Sequence, residues 1–328
     1  MFGKLFGRDG ERPAADTYAL PVPGTRRSGV HPLRALGDTR VMALVRAAED
    51  GDWEGIKETS APFDLGRDHR VLGQLAEIEG IEEWIGRPVR RDKEHRATAL
   101  LISGLRHVTW GWEARTDARA VDVTQEQWKI FHERLHIAEE HLLEAAELRP
   151  EWITPWRQLL VSGRGMSVGA AVQETRLAAA LRRAPLDPQI HAERVTQLQP
   201  RWGGEPGAAL AYAREVYATA PEGHPLGCVI AFAHIEEWVE SDRQDCLETR
   251  AIRQELCEAA RHSILHPAYV RTPGWQYDFN AFAMALSLAA ESKVCARLFH
   301  ELGGAFTSWP WAYLAEPEEA YGRARRRA

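Results

Sequence analysis

The stretch AEEHLLEAAELRPEWITPWRQLL, residues 138–160, decides the fold class. Ala138, Leu142, Ala145 and Leu148 recur at helical spacing, and Pro150 then stops the pattern. A proline ring cannot continue a helix, but it fits just beyond a helix end. Trp156 and Leu159 open a second apolar face immediately afterwards. Small alanines let neighbouring helices approach, while Leu and Trp fill the space between them. The stretch therefore reads as helix, sharp turn, helix.

Working outward, the same grammar repeats. TRVMALVRAAEDGDW places Val41, Leu44, Val45 and Ala48 on one face. HRVLGQLAEIEGIEEWI places Val71, Leu72, Leu75, Ile78 and Ile81 on another. A longer helix follows, with Ala97, Leu101, Gly104, Leu105 and Val108 along it. Asn-Gly turns and sustained alternation, the marks of strands, are missing from the sequence. In the second half, helix ends are expected at Leu148, Ala184, Ala220, Leu265 and Leu302, with successive gaps of 36, 36, 45 and 37 residues. Prolines follow four of these ends. A period in the mid-thirties predicts an all-α chain built as an α-solenoid of antiparallel helix pairs. The expected organisation is a flexible segment over 1–35, a helical region over 36–124, and repeats with a C-terminal cap over 125–328. Residues 36–328 would form one continuous solenoid.

The junction at 138–160 resembles the tetratricopeptide repeat: Ala138, Leu142, Ala145, Leu148 and Pro150 match that family's second helix and closing proline. LAAALRRAPLDP and LAYAREVYATAPEG keep its rows of small residues but lack most of its aromatic positions. GDW at 51–53, WGWEAR at 110–115, FHERL at 131–135, and RWGG followed by ALAYARE also resemble an uncharacterised bacterial helical-repeat family. That resemblance implies a helical-repeat fold and no established activity. The family carries a Ser after the two glycines, where this chain has Glu205-Pro206, so a role of that hydroxyl does not carry over.

The bulk numbers narrow the class. The chain has 328 residues, 45% apolar and 27% charged, with a formal net charge of −6. This balance argues against general nucleic-acid binding. Cys228, Cys246, Cys257 and Cys295 form no CxxC pair and are expected to be reduced thiols. A membrane span needs a run of about 18 apolar residues, and the sequence has none. MFGKLFGRDGERPAAD has too short an apolar core for a signal peptide, so the cytoplasm is the expected compartment.

Candidate sites follow from unusual clusters. LQPRWGG, residues 198–204, sets two glycines beside Arg201 and Trp202. Trp202 would plug a groove between repeats, Arg201 would stack on it or point outward, and Pro206 would start the next helix. HVTWGWEAR, residues 107–115, crowds Trp110, Trp112, Glu113 and Arg115. Trp and Arg are enriched at interaction hot spots. GWQYDFNAF, residues 274–282, reads as an aromatic inter-repeat core around a helix start at Asp278. FTSWPWAYL reads as the terminal cap, and RARRRA as a solvated basic tail.

His132, His136 and Glu140 recur every four residues, and two His at that spacing can share a metal. Charge pairing on a solvated face accounts for the same pattern, as it does for His262 and His266. The sequence holds no nucleophile elbow, and no metal or cofactor is expected. The reading is a non-enzymatic intracellular helical-repeat scaffold that binds a protein or peptide, with Trp110, Trp112, Arg115, Arg201 and Trp202 contributing. Its rival is a helical enzyme or metal-binding protein on the His132/His136 helix. A third reading docks Met1–Phe6 or the Arg-rich tail on a membrane surface. A homo-oligomer remains open.

Overall fold

A computed structural model describes residues 30–116, 120–241 and 243–328. Those residues are predominantly helical, as the periodicity predicts, and fall into two compact units. MFGKLFG and most of the lead-in over 1–35 lie outside the described residues.

The first unit spans 38–193. It contains α1 (Thr39–Glu49), α2 (Trp53–Ser60), α3 (His69–Ala76), α4 (Ile81–Trp84), α5 (Gly86–Arg91), α6 (Arg96–Arg115), α7 (Gln125–Leu148), α8 (Thr154–Gly165), α9 (Ala170–Arg183) and the start of α10 (Pro188–Gln197). Asp38 and Asp52 cap α1 and α2 through their side chains. Thr124 and Gln127 form a capping box that starts α7. The helix runs to Leu148, and the chain turns at Pro150, as the 138–160 pattern requires. α6 and α7 make the most extensive helix–helix contact, across the expected boundary at 124/125. The chain passes from the first unit to the second at 193/194, inside α10. α6 buries most of its circumference from Ala97 to Val108 and makes its largest contact with α7.

An ion pair ties α7, α8 and α9. Arg176 donates to both oxygens of Glu139 at 2.7 and 2.9 Å, and Ser162 donates to the same carboxylate at 2.9 Å. The backbone N–H groups of Ile153 and Thr154 both donate to the Gly66 carbonyl at 2.9 Å, which anchors the start of α8. Ile153, Leu160, Leu177, Ala180 and Ile190 form the core beneath, with Trp156 packed on it.

The second unit combines residues 30–37 with 194–328. It contains the end of α10, then α11 (Ala208–Tyr217), α12 (Cys228–Glu240), α13 (Arg250–His262), α14 (Trp275–Leu288), α15 (Ser292–Leu302), α16 (Ser308–Trp311) and α17 (Pro317–Arg327). Two short strands, β1 (His31–Pro32) and β2 (Ala305–Phe306), pair in parallel. Helices α9, α11 and α13 end one to three residues before the expected Ala184, Ala220 and Leu265, while α7 and α15 end at Leu148 and Leu302. Turn hydrogen bonds carry the pattern past two of those ends: Ala220 N–H to Tyr217 O and Leu265 N–H to Ala260 O, both at 2.9 Å.

α14 begins at Trp275 behind Gly274, one turn before the expected Asp278. Asp278 is buried and accepts from Tyr269 at 3.2 Å. FTSWPWAYL packs as a C-terminal aromatic core: Trp311 donates to Asn280 at 2.8 Å and meets Tyr321 edge-on. The Arg-rich terminus forms the last turns of α17, and Arg323, Arg326 and Arg327 are exposed to solvent as expected. Buried Ala320 and Tyr321 hold that helix, and Arg325–Arg327 complement its C-terminal dipole.

Candidate functional site

Three of the sequence candidates lie together on α6. Trp110 takes the Arg134 guanidinium over its ring at 3.8 Å and stacks on His107 at 5.9 Å. Trp112 meets Phe131 edge-on at 5.0 Å, and Arg115 lies 5.8 Å from Trp112 and 5.5 Å from Trp128. Trp112 also lines an open groove of about 610 Å³, with Val108, Thr109, Glu113 and Thr116 of the same helix end. Arg157, Gln158 and Val161 of α8 and Glu193 of α10 complete the lining.

The groove is thus built from α6, α8 and α10, while α7 and α9 contribute nothing to its lining. Its apolar lining comes from Val108, Trp112 and Val161. Thr116, at its edge, has a φ of 63°, a strained value for a β-branched residue. Such strain is held where surrounding structure over-determines it.

Two ion-pair triads flank the groove. In one, Arg106 donates to Glu82 at 2.8 Å, to Glu113 at 3.1 Å and to the Ala76 carbonyl at 3.2 Å. Only 2% of the Arg106 side chain is exposed. In the other, Glu193 accepts from Arg157 at 3.1 Å and from Arg164 at 3.1 and 3.2 Å. Neighbouring groups sense both. Burial, and then the Glu113 charge, push the Glu77 carboxyl up. Burial, and then the Arg157 charge, push His69 well below the usual imidazole range. Next to the first triad, burial pushes His107 down to about 4, so it is neutral at ordinary pH.

Arg201 and Trp202 belong to the second unit. Arg201 does not point outward: its guanidinium pairs with Glu236 and Glu240 of α12. Glu236 also accepts from Tyr313 at 2.7 Å. Trp202 is half-buried at the end of a 3-10 turn over Pro200–Trp202. Pro206 does not start α11, which begins at Ala208; Glu205 and Pro206 form a turn closed by Ala208 N–H to Glu205 O at 3.1 Å.

The two glycines have different reasons. Gly203 sits at φ 88° with open space around it. A Cβ on Gly204 would lie 1.9 Å from the Leu198 carbonyl oxygen. Gly203→Ala is therefore expected to cost about 1–2 kcal/mol, the left-handed penalty alone. Gly204→Ala must displace backbone and is expected to lower the thermal midpoint further. Equal midpoints for the two variants would contradict the close approach.

The histidine clusters are occupied locally. His132 stacks on Trp128 at 5.5 Å, and exposed His136 faces exposed Glu140 at 3.5 Å. His262 bonds the Ala220 carbonyl at 2.9 Å, and His266 faces Glu222 at 3.5 Å. Among the described residues, no group of three or more His, Cys, Asp or Glu is placed to hold a metal ion. No described helix is long and apolar enough to cross a membrane.

Sequence reasoning found Trp112 and Glu113 but missed Arg157, Gln158, Val161 and Glu193. Their signal was positional: they lie on the helices that follow α7 and α9. No family model, curated protein or solved structure matches the chain.

Proposed function

We propose that the protein is a non-enzymatic cytoplasmic scaffold whose first unit holds a peptide segment of another protein along α6, α8 and α10. The observation that carries this reading is the groove itself, lined by every second helix of the run from α6 to α10. In a solenoid of antiparallel pairs, the first helix of each pair faces the concave side and presents an extended binding surface. Such pairing of α6 with α7 and α8 with α9 would account for a groove lined by α6, α8 and α10. The volume, about 610 Å³, falls within the usual ligand range of roughly 300–1,000 Å³. The groove is open to solvent rather than enclosed, which suits a chain better than an enclosed small molecule. Trp112, which shares the lining with Val108 and Val161, would supply the large apolar contact that dominates such interfaces.

Selection of displayed peptides on the purified chain tests this. Selected peptides are expected to lose at least about tenfold in affinity on Val161→Arg, which blocks the floor with a charge. The thermal midpoint should stay where it is, because Val161 is only half-buried. Peptides that bind the Val161→Arg variant as tightly as the parent would contradict the groove reading.

A further inference from the structure

The stretch from α4 through α5 carries a second surface. Its backbone stays helical across Ile85, whose N–H donates to Ile81 O and whose carbonyl accepts from Val89 N–H. Ile81, Ile85, Pro88 and Val89 are buried, and both helices contact α6. Arg87, Arg90 and Arg91 of α5, with Lys93 just beyond, are exposed. Positions 87, 90 and 91 are three and four apart, so the three guanidiniums share one helix face. None of the four cations has an ion-pair partner among the described residues.

The carboxylates nearest in the chain leave these cations in excess. Asp92 accepts from Trp53 and His95 and pairs with Lys57, and Glu82 is held by Arg106. Glu83 and Glu94 are exposed, one turn from Arg87 and Arg90, and form no ion pair with them. The cluster stands on a chain whose net charge is −6. Like charges one turn apart repel, so an anion from outside relieves the cluster. Trp84, half-buried one turn before Arg87 and against the turn at Gly51, sets an indole at its rim. Tryptophan beside a basic helix face is the composition of segments that lie on a charged lipid surface.

We infer that α5 docks the protein on a membrane surface rich in anionic phospholipid, with Arg87, Arg90, Arg91 and Lys93 against the headgroup phosphates. Guanidinium forks match phosphate oxygens two at a time. The apolar side of α5 is already buried in the protein, so the contact is electrostatic and the helix does not insert. Attraction of this kind is reversible and screened by salt. A nucleic acid strand or an acidic peptide would meet the same cations, but each also draws on stacking rings or apolar anchors among them. Here the positions between the cations are Pro88 and Val89, both buried, and Asp92, already bonded. The surface is separate from the peptide groove. Arg96 at the start of α6 donates to the Val89 carbonyl, whereas the groove begins at Val108, about 18 Å further along that helix. Loss of one surface therefore leaves the other intact.

The test is co-sedimentation of the full chain with vesicles. Vesicles of phosphatidylcholine alone are compared with vesicles that also contain phosphatidylserine, at low and at high salt. The parent is expected to sediment only with the phosphatidylserine vesicles and to be released by salt. Each cation at such a surface is worth about fivefold in partition, so Arg87→Gln/Arg91→Gln should lower it about 25-fold. Arg90→Gln/Lys93→Gln should do the same. All four positions are exposed, and both variants should melt like the parent. Arg182→Gln/Arg261→Gln removes the same charge at exposed positions on α9 and α13 and should bind like the parent. Equal losses in all three variants would make net charge, not this face, the cause and overturn the inference. It is also overturned if the parent does not bind the phosphatidylserine vesicles, or if binding survives both α5 variants. Binding through α5 that is tighter to a DNA duplex or to polyglutamate than to the vesicles would assign the face to a soluble anionic partner instead.

Discussion

Arg201→Ala is expected to destabilise the protein by about 3–5 kcal/mol, the usual result of leaving a buried carboxylate without its cation. The carboxylate is Glu236, whose side chain is only 4% exposed. It stands on α12 with Arg201 on one side and the Tyr313 hydroxyl, donating at 2.7 Å, on another. Burial alone would lower the Arg201 pKa, but Glu236 and Glu240 overcome it and the guanidinium is held above its ordinary value. Removing the cation leaves Tyr313 as a single neutral donor to a buried negative charge. In a thermal melt followed by circular dichroism, the midpoint should fall by roughly 6–20 °C. Adding Glu236→Gln to the variant should recover part of the loss, since an amide needs no counter-charge. A variant that melts with the parent would make Arg201 the outward contact the sequence suggested.

Arg106→Met is the second large effect, again about 3–5 kcal/mol, for a related reason in the other unit. Methionine fills a similar volume but leaves Glu82 and the Ala76 carbonyl without their donor. The pH dependence gives this prediction a second handle. Burial alone would raise the Glu82 carboxyl, yet the Arg106 hydrogen bond overcomes it and holds the group below its ordinary value. A carboxyl held low in the folded state contributes stability while it is ionised and loses that contribution as pH falls through its folded value. The gap between parent and Arg106→Met should therefore narrow as the pH is taken below the usual carboxylate range. A gap that stays constant through acidification would mean that the lost packing of Arg106, not its charge, sets the cost.

These two arginines also mark where the sequence stopped being legible. Helix α7 and the turn after it could be read because Ala138, Leu142, Ala145, Leu148 and Pro150 are close in the chain. Local spacing and proline chemistry were enough. The Arg201–Glu236 pair joins positions 35 residues apart, and the Arg157–Glu193 pair joins positions 36 apart. Periodicity places residues on a face of their own helix. It carries no information on which residue of another helix that face meets. Arg201 was accordingly read as a contact beside Trp202, when α12 supplies two carboxylates for it. Trp112 and Glu113 were visible as part of an aromatic knot, but the groove they border takes its other wall from α8 and α10. At the Arg-rich terminus the solvated charges were legible, since Arg323, Arg326 and Arg327 are exposed. That the segment is a helix packed through Tyr321 was not, because the rings it meets, Phe299, Phe306 and Trp311, lie on other elements.

The central claim is that a peptide lies along α6, α8 and α10, and site-specific photocrosslinking tests it most directly. A benzophenone side chain is placed at Gln158, on the groove, or at Val172, an exposed position on α9 away from the lining. Each protein is irradiated with a labelled peptide selected on the purified parent chain. Crosslinks from position 158 that an excess of unlabelled peptide suppresses, with none from position 172, are the predicted result. Crosslinks from 172 but not 158 would place the peptide elsewhere and contradict the account.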